Sequence, residues 1–295
     1  MAKWCVGVWI LSGFIFTLAR AEPYQFIAGS SALGLRENDK QTLNLGFKTV
    51  FNELLSTSDV KCNFQSFDSS EELAIAISKN QVNAFFGSPI EFLRSEPFLL
   101  SSPIASGVYG NQLKYKILLL VRKDSGISSL EQLQGKRLST QKWVARDMEG
   151  LYLETLLLEH KLPITKNFFS QIQNNETTNS ALVDLFFKKV DAALVNESQY
   201  EVAAELNPQL RAQTQILEAS EPYIIFVTAF TTGMPEQKIT DIKNSLFSVE
   251  KTSAGRNVLR LMKAQGFKEI SVSELDNVRA LIAKNKRLKI EKNER

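Results

Sequence analysis

The chain has 295 residues, 44% hydrophobic and 23% charged, with a formal net charge of +3. This is a globular composition with enough chain for one large or two modest domains, and it excludes a disordered polar tract. One histidine and two cysteines exclude a zinc site built from several Cys and His ligands.

Lys3, the apolar run Val6–Leu18 and the small-x-small triplet Ala19-Arg20-Ala21 form a secretory signal, with cleavage expected after Ala21 and the mature chain opening at Glu22-Pro23. An uncleaved anchor is the alternative, although the run is shorter than the ~20 residues of a comfortable membrane span. Cys5 precedes the run, so it is badly placed for a lipid anchor, and Cys62 is left without an intramolecular partner. Bases cluster only in Lys284–Arg295, six against two acids; the body carries no basic face of the kind nucleic acid requires. The tail reads as a solvated helix end, with docking to anionic lipid or an acidic partner as the alternative.

The mature chain alternates strand and helix. Gln25–Ala28 is a strand leading into the small-residue loop Gly29–Gly34, and Phe47, Val50, Phe51 and Leu54 mark the core face of a helix. Val60–Phe64 is a strand on which Cys62 alternates inward. Ser69 and Glu72 form a capping-box pattern ahead of Leu73–Ile77. Val82–Phe86 runs into Ser88, a helix cap followed by Pro89. A long strand, Tyr115–Val121, is followed by a second capping-box pattern at Ser128 and Glu131, a helix stop at Gly135 and a strand over Arg137–Thr140. Next come a helix over 147–160, a strand over Phe168–Ile172, a helix from the polar cluster Asn174–Ser180 to Lys188, the strand Val190–Val195 and a helix from Glu197. Gln215–Leu217 and Tyr223–Phe230 are strands, and three helices follow Pro235. The alternation predicts an α/β fold with largely parallel sheets, and the closing helices predict a body in two parts.

Four stretches in this order resemble the phosphate/phosphite/phosphonate ABC-transporter substrate-binding proteins. They are Val82-Asn-Ala-Phe-Phe-Gly-Ser-Pro-Ile-Glu-Phe92, Val121-Arg-Lys-Asp-Ser-Gly126 with Leu130–Arg137, Val190-Asp-Ala-Ala-Leu-Val-Asn-Glu197, and Ser220-Glu-Pro222. The resemblance implies a two-lobed type II periplasmic binding protein fold with a hinge of two strand crossings, near Gln112–Lys116 and Glu218–Tyr223, and C-terminal helices. Lobe 1 would then comprise 22–110 plus 222–295, and lobe 2 would comprise 111–221.

The resemblance also carries site residues across. The family's Ser/Thr/Gly-rich turn, which grips an anion, corresponds to Trp143-Val-Ala-Arg-Asp-Met-Glu-Gly150, where the hydroxyls are replaced by bulk, a base and acids. There Arg146 suits a bidentate clamp and Trp143 a flat wall, while Asp147 and Glu149 oppose a tetrahedral dianion. The plain readings are an exposed helix start for Arg146–Glu149 and core filling for Trp143. The family tyrosine after Gly-Pro corresponds to Phe92, for which core packing is the competing role. Its Tyr-Asp pair corresponds to Asn196-Glu197, with Glu197 either meeting an ammonium or serving as a first-turn helix acid. Ser30 and Ser31 follow the first strand, where α/β sheets place ligands. Thr177 and Asn179 align loosely with cleft positions, and Ser88 and Tyr223 complete the set.

The function these readings imply is periplasmic capture of a small anionic or zwitterionic solute between two lobes for an ABC importer. The same closure would serve a sensor that signals to a membrane kinase or receptor. The expected partners are the solute and a membrane permease or sensor kinase, with no nucleic acid; the chain is expected to be a monomer and to need no cofactor or metal. No Gly-x-Ser-x-Gly, phosphate-cradling Gly-Lys-Ser/Thr or Gly-x-Gly-x-x-Gly motif is present, and His160 stands without a Ser or Cys nucleophile motif. An enzyme is therefore not expected, with carboxylate-only catalysis as the remaining enzymatic alternative.

Overall fold

The computed structural model describes residues 23–31, 37–55, 60–141, 148–262 and 264–293. The expected signal segment, residues 32–34 of the small-residue loop, and Trp143, Arg146 and Asp147 lie outside the described residues, while Gly29–Ser31 belong to the first strand.

The strands assemble into two main sheets. The first is six-stranded and uses both ends of the chain: β1 (Tyr24–Ser31), β2 (Val60–Phe67), β3 (Ala84–Gly87), β4 (Leu99–Val108), β12 (Val227–Thr231) and β13 (Gly266–Ile270), hydrogen-bonded in the order β13-β4-β12-β3-β1-β2. The second comes from the middle of the chain: β6 (Ile117–Arg122), β7 (Arg137–Gln141), β8 (Gln171–Asn175), β9 (Ala192–Asn196) and β10 (Thr214–Ala219), in the order β10-β6-β9-β7-β8. Between them β5 (Lys114–Tyr115) and β11 (Tyr223–Ile224) pair antiparallel, with Tyr115 opposite Tyr223.

The helices are α1 (Glu37–Leu54), α2 (Ser70–Ser78), α3 (Pro89–Ser95), α4 (Met148–Glu159), α5 (Thr165–Phe168), α6 (Thr178–Phe186), α7 (Glu197–Leu206), α8 (Pro208–Gln213), α9 (Glu236–Phe247), α10 (Ser253–Met262) and α11 (Asp276–Asn293).

Each sheet is buried on both faces, and the period-2 alternation of side chains sorts neighbours into different cores. On β3, Phe86 packs with Phe51, Phe64 and Phe230, while Phe85 packs on the other face with Leu73, Phe92 and Ile104. On β6, Ile117, Leu119 and Val121 face the layer containing Met148, Tyr152 and Leu157, and Leu118 and Leu120 face Leu182, Leu185 and Tyr200. Strands covered on both sides read as unbroken apolar runs, and Ile117–Val121 is wholly buried.

Several local expectations need correction. The sheets are mixed, because β12 and β13 pair antiparallel in the first sheet and β6 pairs antiparallel with both β9 and β10 in the second. The segment after Pro235 is not helical throughout; β13 intervenes and pairs with β4. The expected long strand is divided at Lys116, whose carbonyl accepts the N–H of Glu197 at 2.9 Å. The helix before Gly135 is only a 3-10 turn over Glu131–Leu133, and Ser128 does not cap it; its N–H donates instead to Gln132 Oε1 at 2.7 Å. Gly135 does supply the stop, at φ 72°. The strand expected over Phe168–Ile172 starts at Gln171, because the side chains of Phe168 and Phe169 close α5 against the core as an edge-to-face pair.

Candidate functional site

The parallel strands β1 and β3 end side by side, at Ser31 and Gly87. Ser88 is the N-cap of α3 with φ −74° and ψ 159°, and Pro89 occupies the first turn. A full capping box forms: Ser88 Oγ accepts the Glu91 N–H at 3.3 Å, and Glu91 Oε2 accepts the Ser88 N–H at 3.0 Å. The same carboxylate reaches further, since its Oε1 accepts the hydroxyl of Ser70, the first residue of α2, at 3.2 Å and that of Ser31. Glu91 is only 6% exposed, so these donors are what make burial of its charge tolerable.

The corresponding edge of the second sheet is formed by the ends of β7, β8 and β9. Asn196 caps α7, its Oδ1 accepting the N–H groups of Ser198 at 2.9 Å and Gln199 at 3.4 Å. Glu197 follows, 3.8 Å from Lys116 Nζ, so an ion pair and a backbone hydrogen bond tie this corner to the crossing. Thr177 caps α6 by accepting the Ser180 N–H at 3.1 Å, and Asn179 is exposed beside it. Thr178 donates to Gln141 Oε1 at 2.7 Å, joining the end of β7 to α6. One residue earlier, Thr140 is 1% exposed and its hydroxyl has no partner among the described residues, an uncommon state for a buried polar group.

Below this edge, Asp184 accepts from Ser139 at 3.3 Å, Gln173 at 2.7 Å and Asn175 at 3.1 Å. Asp184 is buried, and these bonds join α6 to β7 and β8.

The crossing strands carry Tyr223, which is 4% exposed. Burial pushes its phenol up to about 12, with the Glu221 and Glu159 carboxylates adding to the shift. Tyr152, in the same core, is raised further, by burial first and then by Glu218, Tyr223 and Glu159. Ser220 accepts the N–H of buried Ile117 at 2.8 Å and donates to the Glu221 carbonyl at 2.7 Å, pinning the two crossings together.

The structure therefore gathers Ser31 and Ser88 on one carboxylate and draws Asn196 and Glu197 together at the crossing. Ser30 is half-buried beside Ser31. Phe92 is packed at 0% exposure, edge-to-face with Phe85 at 6.1 Å, and presents no open surface. Glu91, Ser70 and Lys116 were absent from the sequence-predicted set, although the Ser88-x-x-Glu91 spacing is a capping-box signature that points to Glu91. A groove of about 920 Å³ also lies between α3, α4 and α11, floored by Ile90, Leu93 and Leu151 and flanked by Arg94, Arg279 and Lys286; none of the sequence-predicted residues lines it. Among the described residues no group of three or more His, Cys, Asp or Glu could hold a metal ion, and no helix is long and apolar enough to cross a membrane.

Two sheets flanked by helices and joined by paired crossing strands, with polar helix starts at the carboxyl ends of both, have the architecture of the periplasmic binding protein fold. The chain belongs to the family described as ABC transporter, phosphonate, periplasmic substrate-binding protein, whose model matches residues 35–275. Among solved structures, XAC2383 from Xanthomonas citri bound to ATP is similar at a TM-score of 0.66 and 14% identity, covering 90% of this chain and 98% of that one. PhnD1 from Prochlorococcus marinus in complex with methylphosphonate is similar at a TM-score of 0.61 and 13% identity, with 88% and 97% covered. A binding protein component of an ABC phosphonate transporter from Pseudomonas aeruginosa gives a TM-score of 0.62 and 12% identity, with 92% and 89% covered. No curated protein sequence matches the chain. At these identities the solved structures speak for the fold.

Proposed function

We propose that this protein captures a small anionic or zwitterionic solute between two lobes, 22–110 plus 222–295 and 111–221, and presents it to the permease of an ABC importer without transforming it. Export through a signal cleaved after Ala21 and action as a monomer belong to the same reading. Its main support is the pairing of β5 with β11. Among the described residues, two extended crossings, locked by Ser220 and by the Lys116–Glu197 contact, carry the backbone between the two sheets, and both sheets turn helix-capping polar groups toward their strand ends. Such a connection lets two bodies close on a solute that bridges them, with α11, which lies within 222–295, also packed on the second-sheet layer through Val278 and Leu281. The orphan hydroxyl of Thr140, next to the segment that matches the family's anion turn, supports a polar ligand group on the second half. By the family correspondence, Arg146 would clamp the anionic group of the solute and Trp143 would serve as a flat wall.

A thermal-shift screen of phosphonates, phosphate, amino acids and small carboxylates tests this. A true ligand at a hundredfold excess over its Kd stabilises the fold by about 2.7 kcal/mol. A chain that none of these classes stabilises would count against the reading.

A further inference from the structure

Resting on that reading, the geometry around one buried carboxylate narrows the solute. At the carboxyl ends of β1 and β3 the first half of the cleft assembles three donors: the Ser31 hydroxyl, the Ser70 hydroxyl and the Ser88 N–H. Hydroxyls and a backbone N–H converging at strand ends are suited to an anionic group. Here the chain fills that set itself, because all three donate to Glu91. The fit is close. A Cβ built on Gly87 would stand 2.8 Å from Glu91 Oε2 and 2.7 Å from the Phe85 ring, so the backbone at the end of β3 is kept bare where the carboxylate lies. At 6% exposure, this charge is screened little by solvent.

We propose that Glu91 is the specificity-determining residue of the first half of the cleft. Its carboxylate occupies the donors that would otherwise hold an anionic group, and it selects solutes whose end facing β1 and β3 is uncharged or cationic. A second negative charge placed there would find its donors taken and a fixed carboxylate beside it. The anionic end of the solute is thereby directed to the second half. Glu91 thus excludes dianionic solutes and admits zwitterions.

The test uses the mature chain and two variants, Glu91→Ala, which empties the donor set, and Glu91→Gln, which keeps the shape and removes the charge. Formate is the probe for the emptied site. Glu91→Ala is expected to show a saturable rise in Tm with millimolar formate at constant ionic strength, while the wild-type chain does not. Inorganic phosphate is the second probe and does not depend on Glu91→Ala folding. Glu91→Gln is expected to bind it at least about tenfold more tightly than the wild-type chain by calorimetry. Equal responses of wild type and variants to the two anions would overturn the proposal. Filling by formate requires no solute capture, so its failure counts against Glu91 alone. A chain that accepts formate in Glu91→Ala yet captures no solute counts against the binding reading instead.

Discussion

Asn285 Nδ2 on α11 donates to Thr155 Oγ1 on α4 at 2.9 Å, and both residues are buried. This single bond sits inside a longer seam that ties the C-terminal helix to the second-sheet layer. Val278 and Leu281 of α11 join the core of Met148, Tyr152 and Leu153, and Lys284 and Lys289 pair with Glu159 and Glu154. At its other end α11 is held to the first half, where Arg279 pairs with Glu96 and Asn277 donates to the Pro222 carbonyl at 2.8 Å. Four bases of the tail, Lys284, Arg287, Lys289 and Lys292, have intramolecular partners.

These contacts differ in depth, and so should their energies. Asn285→Ala removes a buried hydrogen bond and is expected to lower stability by about 1–3 kcal/mol in urea denaturation. Lys284→Ala and Lys289→Ala remove partly exposed ion pairs, and each is expected to cost less than about 1 kcal/mol, with the difference fading in salt.

Two glycines should respond to alanine with opposite signs. A Cβ on Gly255 would lie 1.8 Å from the Val249 carbonyl oxygen, a backbone atom that cannot swing aside. Gly255→Ala is expected to cost about 3 kcal/mol or more, through overpacking. Gly46, exposed within α1, has nothing within 4 Å of its Cβ position, and Gly46→Ala is expected to stabilise by about 0.5–1 kcal/mol. Urea midpoints of the two variants check both signs.

Ser220 bridges the crossings, and Ser220→Ala would leave the N–H of fully buried Ile117 without its side-chain acceptor. The expected loss is about 1–3 kcal/mol. Hydrogen exchange should rise first at Ile117, ahead of the centre of β6.

Alkaline pH should unfold the chain through groups that burial holds protonated. Burial pushes the Cys62 thiol from 9.0 up to about 12, and Tyr223 from 10.0 up to about 12. Both folded-state values are raised, so the associated stability is intact below about pH 9 and is lost as pH climbs toward 12. Circular dichroism at graded pH should show this loss, and Cys62→Ala should flatten the slope that begins near pH 9. At pH 8 a thiol reagent should leave folded Cys62 unmodified and label it in urea.

Most of the element order was legible because strong local signals agreed with the tertiary outcome. The Ser69 cap forms, and so does the Ser88 cap with Pro89 behind it. At Ser69 the reciprocal half of the box shifts by one residue, Glu72 accepting from the Asp68 N–H rather than from Ser69. Signals failed where pairing over long sequence distance decided the structure. β4 contains Pro103, a residue that argues against an interior strand, yet β4 lies between β12 and β13 and tolerates it near a register shift in the β12 pairing. β13 is short and mixed in polarity, and only its pairing with β4 makes it a strand. The role of Glu91 was hidden for a related reason. The capping box predicts its bond to Ser88, but the hydroxyls of Ser31 and Ser70 reach it only once three separate elements converge.

Native mass spectrometry of the protein purified from its host tests capture of an unaltered solute most directly. One discrete small-molecule adduct is expected, released intact on denaturation and carrying an anionic group together with an uncharged or cationic end. A chain that never carries such an adduct, or one that releases a chemically converted product, would contradict it.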